Sequence, residues 1–142
     1  MNKEEMGQAV FGSFDGMTSL WGVLVVLASK PSKTLLVAAA GLAIASTIGM
    51  AAGEFLGDTE SSYSKAAVMG AATAIGTMAP VLPFLVLSRA PAFACAIVIT
   101  LALCAFIGFH RGNSLRAYVQ TYAILFTVAI ITGFFSLITG SG

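Results

Sequence analysis

Charge is what this chain has least of. Lys, Arg, Asp and Glu make up 9% of its 142 residues, while 58% are hydrophobic. A soluble domain of that length has no core large enough to hide so much apolar surface, so the composition reads as an integral membrane protein. With a net charge of +1 and no basic block, it carries no footprint for nucleic acid. Cysteine is nearly absent too. Cys95 and Cys104 lie nine residues apart on one apolar segment, on opposite faces of a helix, which argues against a mutual disulfide or metal clip and for packing as small hydrophobes. The lone histidine, His110, sits beside Arg111 at a segment end and reads as interfacial rather than as a ligand. The opening "MNKEEMGQAV" has two glutamates and no small-residue cleavage site, unlike a cleaved signal peptide. No internal repeat is evident, which gives no support to an inverted-repeat transporter within one chain.

What is present is a series of apolar runs. Five of them approach the ~20 residues that cross a hydrocarbon layer, over 9–28, 35–56, 66–87, 92–109 and 115–138. The links "SKPSK", "GDTESSYSK", "SRAP" and "HRGNS" are short, so successive helices are predicted to be antiparallel neighbours with no separate soluble domain. The fold class expected is an all-α membrane protein, a single five-helix transmembrane domain over 1–142, with its termini on opposite sides. Lys and Arg barely orient it: Lys3, Lys65, Arg111 and Arg116 fall on one side, Lys30, Lys33 and Arg89 on the other. The acids are lopsided. Glu4, Glu5, Asp15, Glu54, Asp58 and Glu60 all fall on or near the amino-terminal side.

Two of those carboxylates lie inside predicted spans, Asp15 in "FGSFDGMTSLWG" and Glu54 in "MAAGEFLGD". Antiparallel neighbours bring them to similar depth. A carboxylate in the bilayer is costly unless paired, hydrated, protonated or bound to a cation, and no Lys or Arg within the spans is there to pair with it. The plainer reading puts both at the interface, reaching water. Met50 and Asp58 flank Glu54 at the i, i+4 spacing, on one helix face, and Thr18, Ser19 and Gly22 follow Asp15 on another. Carboxylate, thioether and hydroxyl together suit a transition-metal cation. The thioether points toward Fe²⁺, Mn²⁺ or a softer ion rather than Mg²⁺ or Ca²⁺. Asp58 and Glu60, in the loop, are candidates for a metal entry site.

Glycine supplies the second pattern. Gly41, Ala45, Gly49, Gly53 and Gly57 recur every four residues, and Gly12 and Gly16 flank Asp15. Small residues at that spacing let helix backbones approach closely, either within the protomer or across a dimer interface. Asp15, Met50 and Glu54 alone are too few for the roughly six-ligand shell of a divalent ion, so a two-fold dimer that doubles the set is expected. In the third segment "TMAPVLPF", Pro80 and Pro83 predict a kink or break that frees backbone carbonyls.

These stretches, "FGSFDGMTSLWG", "AGLAIASTIGMAAGEFLG", "TMAPVLPFLVL" and "ITGFFSLITG", resemble the vacuolar iron transporter family, the ferrous-ion transporters of the plant vacuolar and yeast CCC type. The resemblance covers all five runs and is most specific in the Asp-Gly of the first and the Met-Ala-Ala-Gly-Glu of the second. It implies a homodimer of five-helix protomers in a plasma or storage-organelle membrane, amino termini in the cytosol. Such a protein moves Fe²⁺, sometimes Mn²⁺, out of the cytosol in exchange for protons. It is a transporter and not an enzyme, with metal as cargo and no prosthetic group. The family's intramembrane ligands carry over to Asp15, Met50 and Glu54. The chain departs from the family in having only "GDTESSYSK" where many members hold a cytosolic metal-binding domain, Gly49 where a Ser is frequent, and Leu42 where plant members are acidic. The runner-up expectation is a non-transporting membrane subunit that docks to a larger complex through its glycine-lined helices. A proton-coupled exporter of organic cations comes third, since Trp21, the only tryptophan, falls on a different face from Asp15.

Overall fold

The computed structural model describes residues 2–57 and 62–139, and these are helical almost throughout, with no strand among them. Five α-helices follow in order: α1 (Lys3–Val26), α2 (Ser32–Gly57), α3 (Tyr63–Met78), α4 (Arg89–His110) and α5 (Leu115–Thr139), with a short 3-10 helix, Leu82–Leu85, between α3 and α4. Helix α1 begins six residues before the apolar run does. Asn2 caps it: its side chain accepts from the Glu5 backbone N–H at 2.8 Å, and the Glu5 carboxylate accepts from the Asn2 N–H at 2.9 Å. This reciprocal pair starts a helix whether or not the residues that follow are apolar. Between α4 and α5 the chain turns through Gly112 at φ 122° and Asn113 at φ 50°, left-handed positions that glycine and asparagine tolerate best.

Among the described residues four helices are long and apolar enough to cross a membrane: α1, α2, α4 and, over Leu115–Ile138, α5. The predicted third span, 66–87, is not one helix. It stops at Met78, and Pro80 and Pro83, which lack an N–H to continue the ladder, turn the remainder into a bend and the 3-10 helix. The segment still traverses the bundle. At one end Ser64 donates to Glu5 and Lys65 pairs with Glu4 at 2.9 Å. At the other, Val81 and Phe84 pack with Leu24, Leu35, Ala92 and Ala96. Helices α4 and α5 then return in alternating directions: Arg111 and Thr121 lie near Gly7 and Val10, and Thr132 lies near Gly22. The five helices alternate in direction along the sequence, with the start of α1 and the end of α5 at opposite ends of the bundle.

The tightest seam is between α1 and α3. A Cβ on Gly12 would sit 2.5 Å from the Met69 carbonyl oxygen and 2.8 Å from Thr73 Oγ1, one on Gly16 would run into the Thr73 carbonyl and Thr77 Oγ1, and one on Gly76 would strike the Ser13 backbone. Thr73 and Thr77 are fully buried, and each hydroxyl donates to its own helix four residues back, at 2.9 and 2.8 Å. That leaves no polar group unpaired at the seam. Helix α2 also packs mainly on α3, with Gly70 admitting Ala51 and Thr47. Helices α1 and α2 touch each other far less. Trp21 Nε1 donates to buried Thr100 on α4 at 2.8 Å. Cys104 is buried beside Met17 and Leu125 as a small hydrophobe, and both cysteines are free.

Outside these contacts the helices are apolar and bare. Leu56, Val86, Leu115 and Leu137 are each at least 80% exposed, a surface that water would not tolerate and acyl chains would. Together with the four long helices, this fits an integral membrane protein.

The seam predicts a contrast between glycines. Gly16→Ala or Gly76→Ala must force α1 off α3 and should lower protomer stability in detergent by about 1–3 kcal/mol or more. Gly53→Ala has nothing within 4 Å to meet and should leave it unchanged or raise it by up to about 1 kcal/mol, since alanine is the better helix former. Thermal unfolding of the three purified variants checks this, and equal midpoints would remove the seam from the account.

Candidate metal site

Helices α1 and α2 carry Asp15, Met50 and Glu54 and touch each other little. Among the described residues one polar side-chain contact joins them, Gln8 Nε2 on α1 donating to Glu54 Oε1 on α2 at 2.7 Å, part-buried. This pair sets the register of the two antiparallel helices. Asp15 follows Gln8 by seven residues, two turns on the same face and about 10 Å deeper. Met50 precedes Glu54 by four, one turn deeper on the same face of α2. From that contact inward the order is therefore Gln8 and Glu54, then Met50, then Asp15. Asp15, Met50 and Glu54 are all half-buried. The two carboxylates predicted to lie at similar depth do not: Gln8, not Asp15, lies opposite Glu54, and the two turns between them keep Asp15 and Glu54 of one protomer from sharing one ion.

The electrostatics are spare. Among the described residues neither Asp15 nor Glu54 pairs with a Lys, Arg or His, and the Asp15 carboxylate accepts no hydrogen bond. Glu4 and Glu5 at the same end are engaged, by Lys65 and by Ser64 and Asn2. The hydroxyls beside Asp15 are partly spoken for, since Thr18 Oγ1 bonds back to the Phe14 and Asp15 carbonyls at 2.9 and 3.1 Å. One hydroxyl stands apart. Thr47 Oγ1 is buried with no partner among the described residues. It lies seven residues before Glu54, at the depth of Asp15, and every such orphan costs about 1–3 kcal/mol.

Within one protomer no group of three or more His, Cys, Asp or Glu among the described residues is placed to hold a metal ion. Two carboxylates at different depths and a thioether fall short of a full shell for a divalent cation. Asp58 and Glu60 lie outside the described residues. His110 lies edge-on to Phe106 and Phe109, with ring centres 4.4 and 5.4 Å away.

The glycines divide into two sets. Gly12 and Gly16 are consumed by the seam with α3. Gly41, Gly49, Gly53 and Gly57 are exposed and meet nothing within 4 Å, so that side of α2 is uncovered in the protomer. It lies beside the stripe that carries Met50 and Glu54.

Compared with protein-family models, curated proteins and solved structures, the chain matches none. Gln8 is the residue that sequence reasoning missed. It precedes the apolar run by one position and looks like part of a solvated terminus, and its seven-residue spacing to Asp15 is the signal that would have found it.

Proposed function

We propose that this protein is a dimeric, multi-pass transporter of divalent transition-metal ions, Fe²⁺ and also Mn²⁺, that exchanges metal for protons and moves it out of the cytosol. The observation that carries the reading is a pair of half-buried carboxylates, Asp15 and Glu54, on two adjacent helices long enough to cross a membrane, with no cationic side chain bound to either among the described residues. A carboxylate held at that depth needs a cation or a proton. A group that takes either one is what exchange requires, since metal binding expels protons and protonation expels metal. The resemblance to the vacuolar iron transporter family supports the same three ligands, Asp15, Met50 and Glu54, and a cytosolic amino terminus. The open glycine side of α2 supports the dimer: a second copy packed there would bring a second Met50 and Glu54 near the two-fold axis and complete the shell.

The open glycine side also favours the alternative, a subunit that docks to a larger complex without transporting. The carboxylates separate the two readings. In proteoliposomes under an imposed pH gradient, Glu54→Gln and Asp15→Asn should each abolish metal-coupled proton flux while the protein stays folded, because the amides keep shape and lose charge. Wild-type flux in Glu54→Gln would sink the exchange mechanism. A protein that moves no ion at all, with both variants assembling normally, would leave the docking subunit.

Met50 should behave differently. Met50→Leu keeps volume and removes sulfur, so it should weaken Fe²⁺ transport more than Mn²⁺, the harder ion. A Met that only packs would affect both ions alike, with a stability change below about 1.5 kcal/mol. Flux against concentration for each ion decides.

Gly53→Leu tests assembly. Its side chain has room in the protomer and none at a close helix crossing, so the protein should fold, lose its dimer in detergent and lose transport with it. An intact dimer with normal flux would place the interface elsewhere.

A further inference from the structure

Helices α1, α4 and α5 do not close against one another at the end of the bundle where α1 starts. They leave a cavity of about 220 Å³ lined by Gly7, Val10, Phe11 and Phe14 of α1, Ile107 of α4 and Ile124 of α5, with Arg111 and Thr121 at its outer end. Phe11 is 58% exposed, so the cavity is a furrow in the lipid-facing surface and not a sealed void. We propose that this furrow binds one anionic glycerophospholipid, its phosphate on the Arg111 guanidinium and part of an acyl chain lying along α1. Such a site requires only a membrane and holds whether or not the protein carries metal.

The apolar half follows from spacing. Gly7, Val10, Phe11 and Phe14 fall at i, i+3, i+4 and i+7, one face of α1 about 10 Å long. Because Arg111 follows the end of α4 beside the start of α1, the furrow runs inward from the charge, the direction in which an acyl chain leaves its phosphate. Gly7 keeps the outer end open, since a Cβ there would meet nothing within 4 Å. The volume is below the roughly 300–1,000 Å³ of pockets that enclose a small molecule, and it suits a stretch of chain rather than a whole ligand.

The polar half is a cation held in place. Arg111 donates to Thr121 Oγ1 at 3.1 Å and to Gln120 Oε1 at 3.4 Å, both on α5, and its backbone N–H reaches the Ile107 carbonyl at 2.9 Å. A guanidinium carries five N–H donors, so three are left without a partner among the described residues. Among those residues no carboxylate takes them. Glu4 pairs with Lys65, Glu5 accepts from Ser64 and Asn2, and Glu54 accepts from Gln8. A planar guanidinium matches phosphate oxygens in pairs and is weakly hydrated, which suits it to a headgroup at the membrane interface. Basic pockets between membrane helices hold anionic headgroups on this principle. The charge also decides the class of lipid. In phosphatidylcholine the phosphate already has a quaternary ammonium of its own, whereas in phosphatidylglycerol it has none and gains more from Arg111.

The test is native mass spectrometry of the full-length protein in detergent, with equal amounts of phosphatidylglycerol and phosphatidylcholine of identical acyl chains. Wild type should retain phosphatidylglycerol with a preference of about ten-fold, the scale of one hydrogen bond to a charged group. Arg111→Gln, which removes the charge and keeps a polar side chain at the interface, should bring the ratio of the two lipids close to one. Gly7→Leu fills the furrow from a position with free space around it, so it should lower phosphatidylglycerol binding several-fold while the thermal midpoint is kept or raised. It keeps the test open if Arg111→Gln does not fold. Arg116→Gln removes an exposed charge at the same end that does not line the furrow, and should leave the ratio alone. Equal retention of both lipids by wild type, or a wild-type ratio in Arg111→Gln, overturns the proposal. An equal loss in Arg116→Gln does so by showing attraction to surface charge as a whole, and undiminished binding in Gly7→Leu by placing the chain elsewhere. Displacement of the lipid by excess glycerol phosphate would leave a site for the headgroup alone and overturn it too.

Discussion

Everything at the contact between α1 and α2 depends on how closely α1 lies against α3. Two glycines on one helix and one on the other bring the backbones into contact, and the facing threonines turn their hydroxyls back into their own helix. In lipid there is little hydrophobic drive to hold helices together, so contact of this kind is a main source of cohesion. It also fixes rotation. With Gly12 and Gly16 locked on α3, Gln8 and Asp15 must fall on an adjacent face, toward α2. A side chain larger than hydrogen at Gly16 would not only loosen the seam but also turn the carboxylate away from α2. The packing residue and the site residue are neighbours in sequence because one sets the direction of the other.

Much of this was legible in the sequence, and the part that was not has identifiable causes. The apolar runs marked all five helices, four of them long and apolar enough to cross a membrane, and their short links gave the antiparallel order. Pro80 and Pro83 announced the break in the third segment, although run length alone made it a complete span. The glycine periodicity was visible, but a repeat does not say which neighbour it serves: Gly12 and Gly16 proved to be internal seam residues, while Gly49, Gly53 and Gly57 face outward. The register of α1 against α2 was the largest shift. Run boundaries placed Asp15 at a depth similar to Glu54, whereas Gln8, brought into α1 by the Asn2 and Glu5 capping pair, lies opposite Glu54 instead. Capping is a local polar signal, and a search for apolar runs passes over it.

The distribution of satisfied and unsatisfied polar groups separates scaffold from site. Thr73, Thr77 and Thr121 are buried with their hydroxyls bonded, and Thr100 receives the Trp21 indole. Those groups cost the fold little. Thr47 Oγ1, buried and unpaired, and the Asp15 carboxylate, half-buried and unpaired, are different. Thr47 lies where α2 packs against Gly70 of α3, whereas Asp15 lies on α1 at about the same depth.

The same asymmetry bears on motion. Helix α1 is held to α3 by backbone contact and α2 to α3 by Ala51 and Thr47 against Gly70, whereas α1 and α2 meet through few contacts and one side-chain hydrogen bond. Separating α1 from α3 would open a dry, close-packed seam. Widening the gap between α1 and α2 would break the Gln8 to Glu54 bond and expose little else. On the transport reading, the ion would enter where the bundle resists least, between two helices that share a support but hardly share a surface. Opening would then be coupled to the ligand itself, because a metal ion that draws Glu54 toward Met50 competes for the carboxylate that ties α1 to α2. A site of this kind needs no separate gate.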